Sequence, residues 1–410
     1  MRRLTMHKLP SSFRNPAAIR NWLPLIAVGA VRLTSIAVLP LEGLVGYGDY
    51  RHFFNLSQFA LSGGGGLPFL GHWVEFPPLF PFLSLLLYQL SAGQFHTYAA
   101  LLAVLMALFD LGSLWLFSVI AREAQHGEWN EVASWIYAIF LMLPAFGWWT
   151  FEPMAVFWMM LAILGLVKKK PLGLGLAAGF GFLTKFIPVL PLLVAWRRFS
   201  LRQAFLATAA ALLIIVLALG PLLASNPSMT AASLRAQFSK SSWETVWALL
   251  DGNLRTGNLG PLSERLDPGA SGRPLGNAPR IPTLIPTLLL GGLCIWALLG
   301  LKQSEPRSWL ILLTYLLGLV FLWSRGWSPQ WLAYLLPLLL LSLPIQTAAI
   351  LAANLILISI LEWPILLSRG RFDLLWVPVI VRTLLILVMT IEAGRRVLCT
   401  HNLHTEGSEP

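Results

Sequence analysis

Charge and cysteine are both scarce in this chain. Only 11% of its 410 residues are Asp, Glu, Lys or Arg, and cysteine occurs twice, at Cys294 and Cys399. An ordinary soluble domain carries about a quarter of its residues charged, so that class is excluded. Two cysteines, one in an apolar segment and one near the C-terminus, make neither a disulfide framework nor a metal site. Also missing are a Walker loop, HExxH, a serine elbow, a Rossmann glycine pattern and the Asp-x-Asp motif of nucleotide-sugar enzymes. An enzyme of this build must therefore take an activated substrate that is itself in the membrane. No internal repeat is evident, which argues against a repeat-built transporter.

Apolar sequence is abundant instead. The chain is 57% hydrophobic, with a mean hydropathy of +0.71. This predicts an all-α, polytopic membrane protein of about ten to twelve transmembrane helices, at about 20 residues per span. Basic residues outnumber acidic ones by 29 to 18. In such a protein that excess marks cytoplasmic loops and membrane-lipid contacts rather than nucleic acid. Arg2, Arg3, Lys8, Arg14 and Arg20, with no acid before Trp22, put the N-terminus in the cytoplasm. The first apolar run, 22–40, lacks a clear small-residue cleavage site and reads as a retained span. The clusters Lys168-Lys169-Lys170, Arg197-Arg198 and Arg395-Arg396, with Lys302 and Arg307, also belong inside. Residues 171–196 read as two half-helices broken at 184–188, because both flanks are basic and Pro188 interrupts the run. Four apolar segments can be drawn between 77 and 167, where the charges demand an odd number of crossings. Either the segment after Pro78 is re-entrant or the positive-inside rule fails there. The whole, 1–410, reads as one integral membrane domain of the cell membrane, with extracytoplasmic loops at about 41–76 and 224–280.

The first of these loops forms the predicted platform. Asp49 follows Gly46-Tyr47-Gly48 and precedes an amphipathic segment in which Arg51, Asn55, Gln58 and Ser62 share one face. Tyr50, Phe53, Phe54 and Leu61 share the other, as in a helix lying in the membrane interface. Four glycines, 63–66, end it. His72, Trp73 and Glu75 then stand above Pro77-Pro78. Asp49 has two readings, a helix cap and a base for a hydroxyl proton. Lys185 lies in an apolar stretch with no acid in its own segment, so its ammonium needs a partner from elsewhere. Arg325, in Ser324-Arg325-Gly326-Trp327-Ser328-Pro329-Gln330, can hold a phosphate at a span end. Glu152, in a short outer loop, lines the same cavity, while Asp110 and Arg382 read as a structural pair or as separate polar groups within the packing. In the second loop Ser241 and Glu244 are spaced as a capping box for a helix over 243–250. Asp251-Gly252-Asn253 then turns the chain into a stretch, up to Arg280, with the composition of a mobile lid.

In their order these motifs resemble the GT-C superfamily of membrane glycosyltransferases, and within it the bacterial polyprenol-phosphate-mannose-dependent mannosyltransferases. The resemblance rests on Gly48-Asp49-Tyr50, Glu75-Phe76-Pro77-Pro78-Leu79, Gly181-Phe182-Leu183-Thr184-Lys185-Phe186-Ile187-Pro188 and Ser328-Pro329-Gln330-Trp331-Leu332. It implies an outer-face active site with Asp49 as the catalytic carboxylate. A hexose, mannose by resemblance, would pass from a polyprenyl-phosphate donor to a lipid or glycan acceptor. Glu75, His72, Arg51, Glu152, Lys185, Arg325 and Gln330 are the expected substrate-binding residues. Two departures stand out: Glu152 replaces an Asp found in many members, and no second acid adjoins Asp49, so no metal or other cofactor is indicated. The competing classes are a membrane transporter or lipid flippase, which would bind at the midplane, and a polysaccharide polymerase or ligase of different fold.

Overall fold

The computed structural model describes residues 16–41, 48–124, 130–144, 147–254, 260–273, 275–300 and 305–399. Among these the chain is all-helical, and the only bridges are two isolated ones, Pro68 with His72 and Trp243 with Gly326. Five helices are long and apolar enough to cross a membrane by length and composition: Phe95–Glu123, Leu201–Ser225, Pro306–Trp323, Ile345–Arg369 and Phe372–Val397. Six shorter apolar helices accompany them. Their outward faces are greasy. Leu201–Ser225 exposes Phe205, Leu213 and Val216, and Leu284–Gly300 exposes Leu284, Leu288 and Leu289. Continuous apolar surface of this kind is selected by a hydrocarbon solvent, not by water. At the centre Leu332–Ser342 is buried along its whole length, as befits a helix that is apolar on all sides.

Labelled in chain order, the first eight α-helices among the described residues are α1 (Pro16–Val38), α2 (Tyr50–Leu61), α3 (Leu79–Leu90), α4 (Phe95–Glu123), α5 (Asn130–Met142), α6 (Glu152–Val167), α7 (Pro171–Thr184) and α8 (Leu190–Arg198). Four helices thus occupy 77–167. With 12 residues, α3 is about 18 Å long at 1.5 Å per residue, short of a hydrocarbon core of about 30 Å. Only α4 in this stretch is long and apolar enough to cross by itself among the described residues. The expected break between α7 and α8 is present. Lys185 is extended (φ −164°, ψ 153°), and a 3-10 turn, Ile187–Val189, restarts the chain. Lys302 lies outside the described residues, as do Gly46 and Tyr47.

Two expectations are corrected. The polar face of α2 is exposed as predicted, but its apolar face does not lie in lipid. Phe53 packs on Phe80 of α3 (ring centroids 4.6 Å apart) and Phe54 on Phe95 of α4 (5.3 Å), while Leu61 is exposed. Periodicity reports a buried stripe without saying what buries it. The capping box at Ser241 and Glu244 is also not formed. Trp243 donates its N–H to the Arg325 carbonyl (3.0 Å) and accepts from the Trp327 N–H (3.1 Å), which holds this stretch extended. The helix starts later, Val246–Asp251, capped by Thr245, whose Oγ1 accepts from the Ala248 N–H at 3.2 Å. Gly252 makes the expected turn (φ 79°). The stretch that follows is tied down where it is described. Two 3-10 turns, Leu262–Leu266 and Pro268–Gly272, receive the Trp73 side chain, whose Nε1–H donates to the Asp267 carbonyl at 3.0 Å. Residues 255–259 and 274 lie outside the described part.

Candidate active site

The backbone decides where Asp49 stands. Its N–H donates to the Trp149 carbonyl at 2.8 Å, and its own carbonyl accepts from the Phe53 N–H at 2.9 Å. A Cβ at Gly48 would overlap Trp149, so glycine is what lets the two segments touch. Trp149 lies three residues before Glu152, and the contact therefore gathers two acids from distant parts of the sequence. Asp49 occupies the cap position of α2 with ψ −1°, and its side chain makes no capping hydrogen bond. A side-chain cap ordinarily needs an extended residue there. Among the described residues the carboxylate has no hydrogen-bond or ion-pair partner. The capping explanation therefore does not account for it. Burial and the Glu152 charge push the Asp49 carboxyl up to about 6, against the pull of His52, Lys185 and Lys240. Such a group is ionised by about ten to one at pH 7 and still has appreciable basicity.

Lys185 reaches Glu152 in an ion pair. Its ammonium also lies 5.2 Å from the Phe151 ring and 5.1 Å from the Trp331 ring. The partner that Lys185 required is thus an acid of another helix, which removes the charge argument for a ligand phosphate at that position. Glu152 retains one buried oxygen, Oε2, without a hydrogen bond. Arg325 is likewise paired, with Asp251, whose carboxylate also accepts from the Ser242 hydroxyl (2.7 Å) and the Arg280 N–H (2.8 Å). Gly326 sits under the Trp243 ring with no room for a Cβ, which fixes this junction between the loop and the helix ends.

Glu75 stands in a second cluster. It receives both terminal nitrogens of Arg265, one at 3.0 Å, and the His52 Nε2 at 2.8 Å. Burial alone would raise its carboxyl. Arg265 and His52 outweigh that and hold it well below the ordinary carboxylate range. Arg265 also stacks over Trp73, 4.8 Å from the ring. His72 is buried, and its Nδ1–H donates to the carbonyls of Gly65 (3.2 Å) and Gly66 (3.0 Å), which ties the glycine run in place. Burial holds its imidazole below the ordinary value. Arg51 lies on the exposed face of α2, its guanidinium 3.2 Å from the Phe95 ring centre. Gln330, in the turn Pro329–Trp331, is half-buried beside the Trp331 that faces Lys185. The structure therefore brings Asp49, Glu152 and Lys185 together, with Glu75 linked through His52, and leaves Arg51 outside.

Three contributors escape a reading of the sequence: His52, Arg265 and Lys240. His52 has a local signal, one helical turn from Asp49. The other two come from the 224–280 loop and have none. Lys240 is half-buried, 5.5 Å from the Trp243 ring, and has no acid bonded to it among the described residues. Burial pushes its ammonium down against the attraction of Glu75 and Asp49. Elsewhere, Asp110 pairs with Arg32 at 3.1 Å and Arg382 with Glu362, so of the two readings the pair with each other gives way to separate buried polar groups in the packing, each with its own partner. Among the described residues no group of three or more His, Cys, Asp and Glu side chains is gathered as a metal site. Comparison of the chain with known family models, curated proteins and solved structures returns no match.

Proposed function

We propose that this protein is a membrane glycosyltransferase that moves a hexose from a polyprenyl-phosphate donor to a hydroxyl of a lipid or glycan acceptor. One observation carries the reading. Asp49 is a carboxylate free of structural duty, with a pKa near 6, beside cations at the end of an apolar bundle. The basic Lys168, Arg197, Arg198 and Arg396 lie at the bundle's other end, which on the positive-inside rule is cytoplasmic and leaves Asp49 extracytoplasmic.

In this mechanism Asp49 accepts the proton of the acceptor hydroxyl. The oxygen attacks the anomeric carbon, the bond from that carbon to the phosphate oxygen breaks, and the configuration inverts. The electron pair leaves with the polyprenyl phosphate, whose new charge needs a cation more than a proton. Lys240 suits that role best, because Lys185 and Arg325 already hold acids. Glu152 and Lys185 then orient and balance the charge around Asp49, and Trp331 offers a flat apolar face beside them for a sugar ring. The proton on Asp49 passes to solvent after product leaves.

The test is an initial-rate assay in nanodiscs with polyprenyl-phosphate mannose and, separately, a nucleotide-activated mannose. Transfer from the lipid donor alone, lost in Asp49→Asn, supports the reading. Equal transfer from the nucleotide sugar, or undiminished transfer by the Asn variant, overturns it.

A further inference from the structure

At the end of the bundle away from Asp49 lies a cavity of about 360 Å³. It is lined by Arg307, Arg396 and Gln346 and by the apolar Leu340, Leu343 and Ile345. Arg307 belongs to the first turn of Pro306–Trp323, and Arg396 to the last turn of Trp376–Cys399. Two guanidiniums thus face one space. Arg396 is held by Glu392 in the preceding turn, at 2.7 Å. Arg307 is half-buried and has no hydrogen-bond or ion-pair partner among the described residues. A guanidinium turned into a cavity without an acid calls for an anion.

The surroundings say which kind. The same end carries Lys168, paired with Glu123 at 3.1 Å, Arg197, donating to the Leu299 carbonyl at 3.2 Å, and Arg198, 5.7 Å from the Trp309 ring. Glu305, Glu131 and Glu392 are the acids near the lining, and the basic residues outnumber them. A volume of this size falls at the lower end of ligand pockets, about 300–1,000 Å³, and exceeds what a bare phosphate fills. Its leucine and isoleucine wall suits the glycerol and first methylenes of a lipid, and its arginines suit a phosphodiester. Basic pockets between helix ends are where anionic headgroups lodge.

We infer that this cavity binds the phosphate of an anionic phospholipid, clamped between Arg307 and Arg396 and independent of the Asp49 site. The experiment uses the full chain purified in detergent and followed by native mass spectrometry and by thermal shift. The probes are phosphatidylglycerol, phosphatidylcholine and inorganic phosphate, and the variants are Arg307→Gln, Arg307→Lys and, as a control on the same helix end as Arg396, the exposed Arg395→Gln. Wild type and Arg395→Gln should retain phosphatidylglycerol in preference to phosphatidylcholine. Arg307→Gln should weaken that retention about tenfold, the value of one charged hydrogen bond, and Arg307→Lys should restore part of it. Saturable binding of inorganic phosphate that Arg307→Gln abolishes, without lipid preference, keeps the phosphate site and assigns its source to solvent. Equal retention of both lipids with no phosphate binding, or unchanged binding by a well-folded Arg307→Gln, overturns the inference.

Discussion

Asp49 heads the loop helix α2, Glu75 is hydrogen-bonded to His52 of the same helix, and the His52 charge also acts on Asp49. Their surroundings nevertheless drive them in opposite directions. Glu75 is buried under a two-pronged Arg265 and a histidine, and its carboxyl is held far down. Asp49 is partly open and unbonded, and it is raised to about 6 by burial and the Glu152 charge. The first arrangement is that of a joint, in which a loop is locked onto the bundle by a saturated ion pair. The second is the arrangement the proposed role of Asp49 needs, in which a carboxylate is positioned by its backbone while its oxygens stay available. An acid that does structural work spends its lone pairs on neighbours, and one that does chemistry keeps them for the substrate.

The sharpest way to break the comparison is to neutralise each acid in turn. Asp49→Asn should lower the transfer rate by about 10²–10⁴-fold, the usual worth of a positioned base, with folding intact. The sign for stability follows from the raised pKa. Folding favours the protonated form, so the ionised carboxylate costs stability above about pH 6, and the Asn variant should be at least as stable there. Thermal unfolding and rates on one preparation check both halves, and a large loss of stability would return Asp49 to a structural role.

Arg265→Gln should show the reverse pattern. It leaves Glu75 buried with half its partners, a loss of about 3–5 kcal/mol, seen as loosened loop packing, faster proteolysis near Trp73 and a lower unfolding midpoint. The depressed Glu75 contributes stability above its ordinary value near 4.5, lost as pH falls through its lower folded value. The variant should therefore unfold at higher pH than wild type on acidification. An unchanged acid midpoint would show that Arg265 is not what holds Glu75.

Lys240→Gln probes the cation left over between the two clusters. Donor KM should rise about tenfold, the worth of one charge-assisted contact, with acceptor KM little changed. An equal rise in both would remove Lys240 from the phosphate. The smallest effect is on the pH profile. Rate in wild type should climb through about pH 6 as Asp49 ionises, and Glu152→Gln, which removes the charge raising it, should move that limb toward lower pH. A limb that stays fixed in Glu152→Gln would mean that another group titrates.

Much of this was legible in the chain. The apolar run 22–40 corresponds to the helix Pro16–Val38, and the run 171–196 to Pro171–Thr184 and Leu190–Arg198, because a run of apolar residues has few other ways to satisfy its backbone in lipid. The break at Lys185 announced itself through Pro188. The stretch around Asp49 stood out because polar residues between apolar runs need a reason. The start of the helix after Trp243 was misread, since a backbone bridge to Arg325 overrode a local capping pattern.

Sequence alone determined the long apolar helices and the identity of the residue at the head of the loop helix, since hydropathy and glycine placement are local properties. Tertiary structure alone decided which charge meets which. Lys185 found Glu152, Arg325 found Asp251 and Glu75 found Arg265, across separations of 33, 74 and 190 residues. Ion pairs are set by distance in space, and neither composition nor spacing along the chain encodes that distance until the helices are packed. Among the described residues, Asp49 is a carboxylate that this packing leaves unpaired beside them.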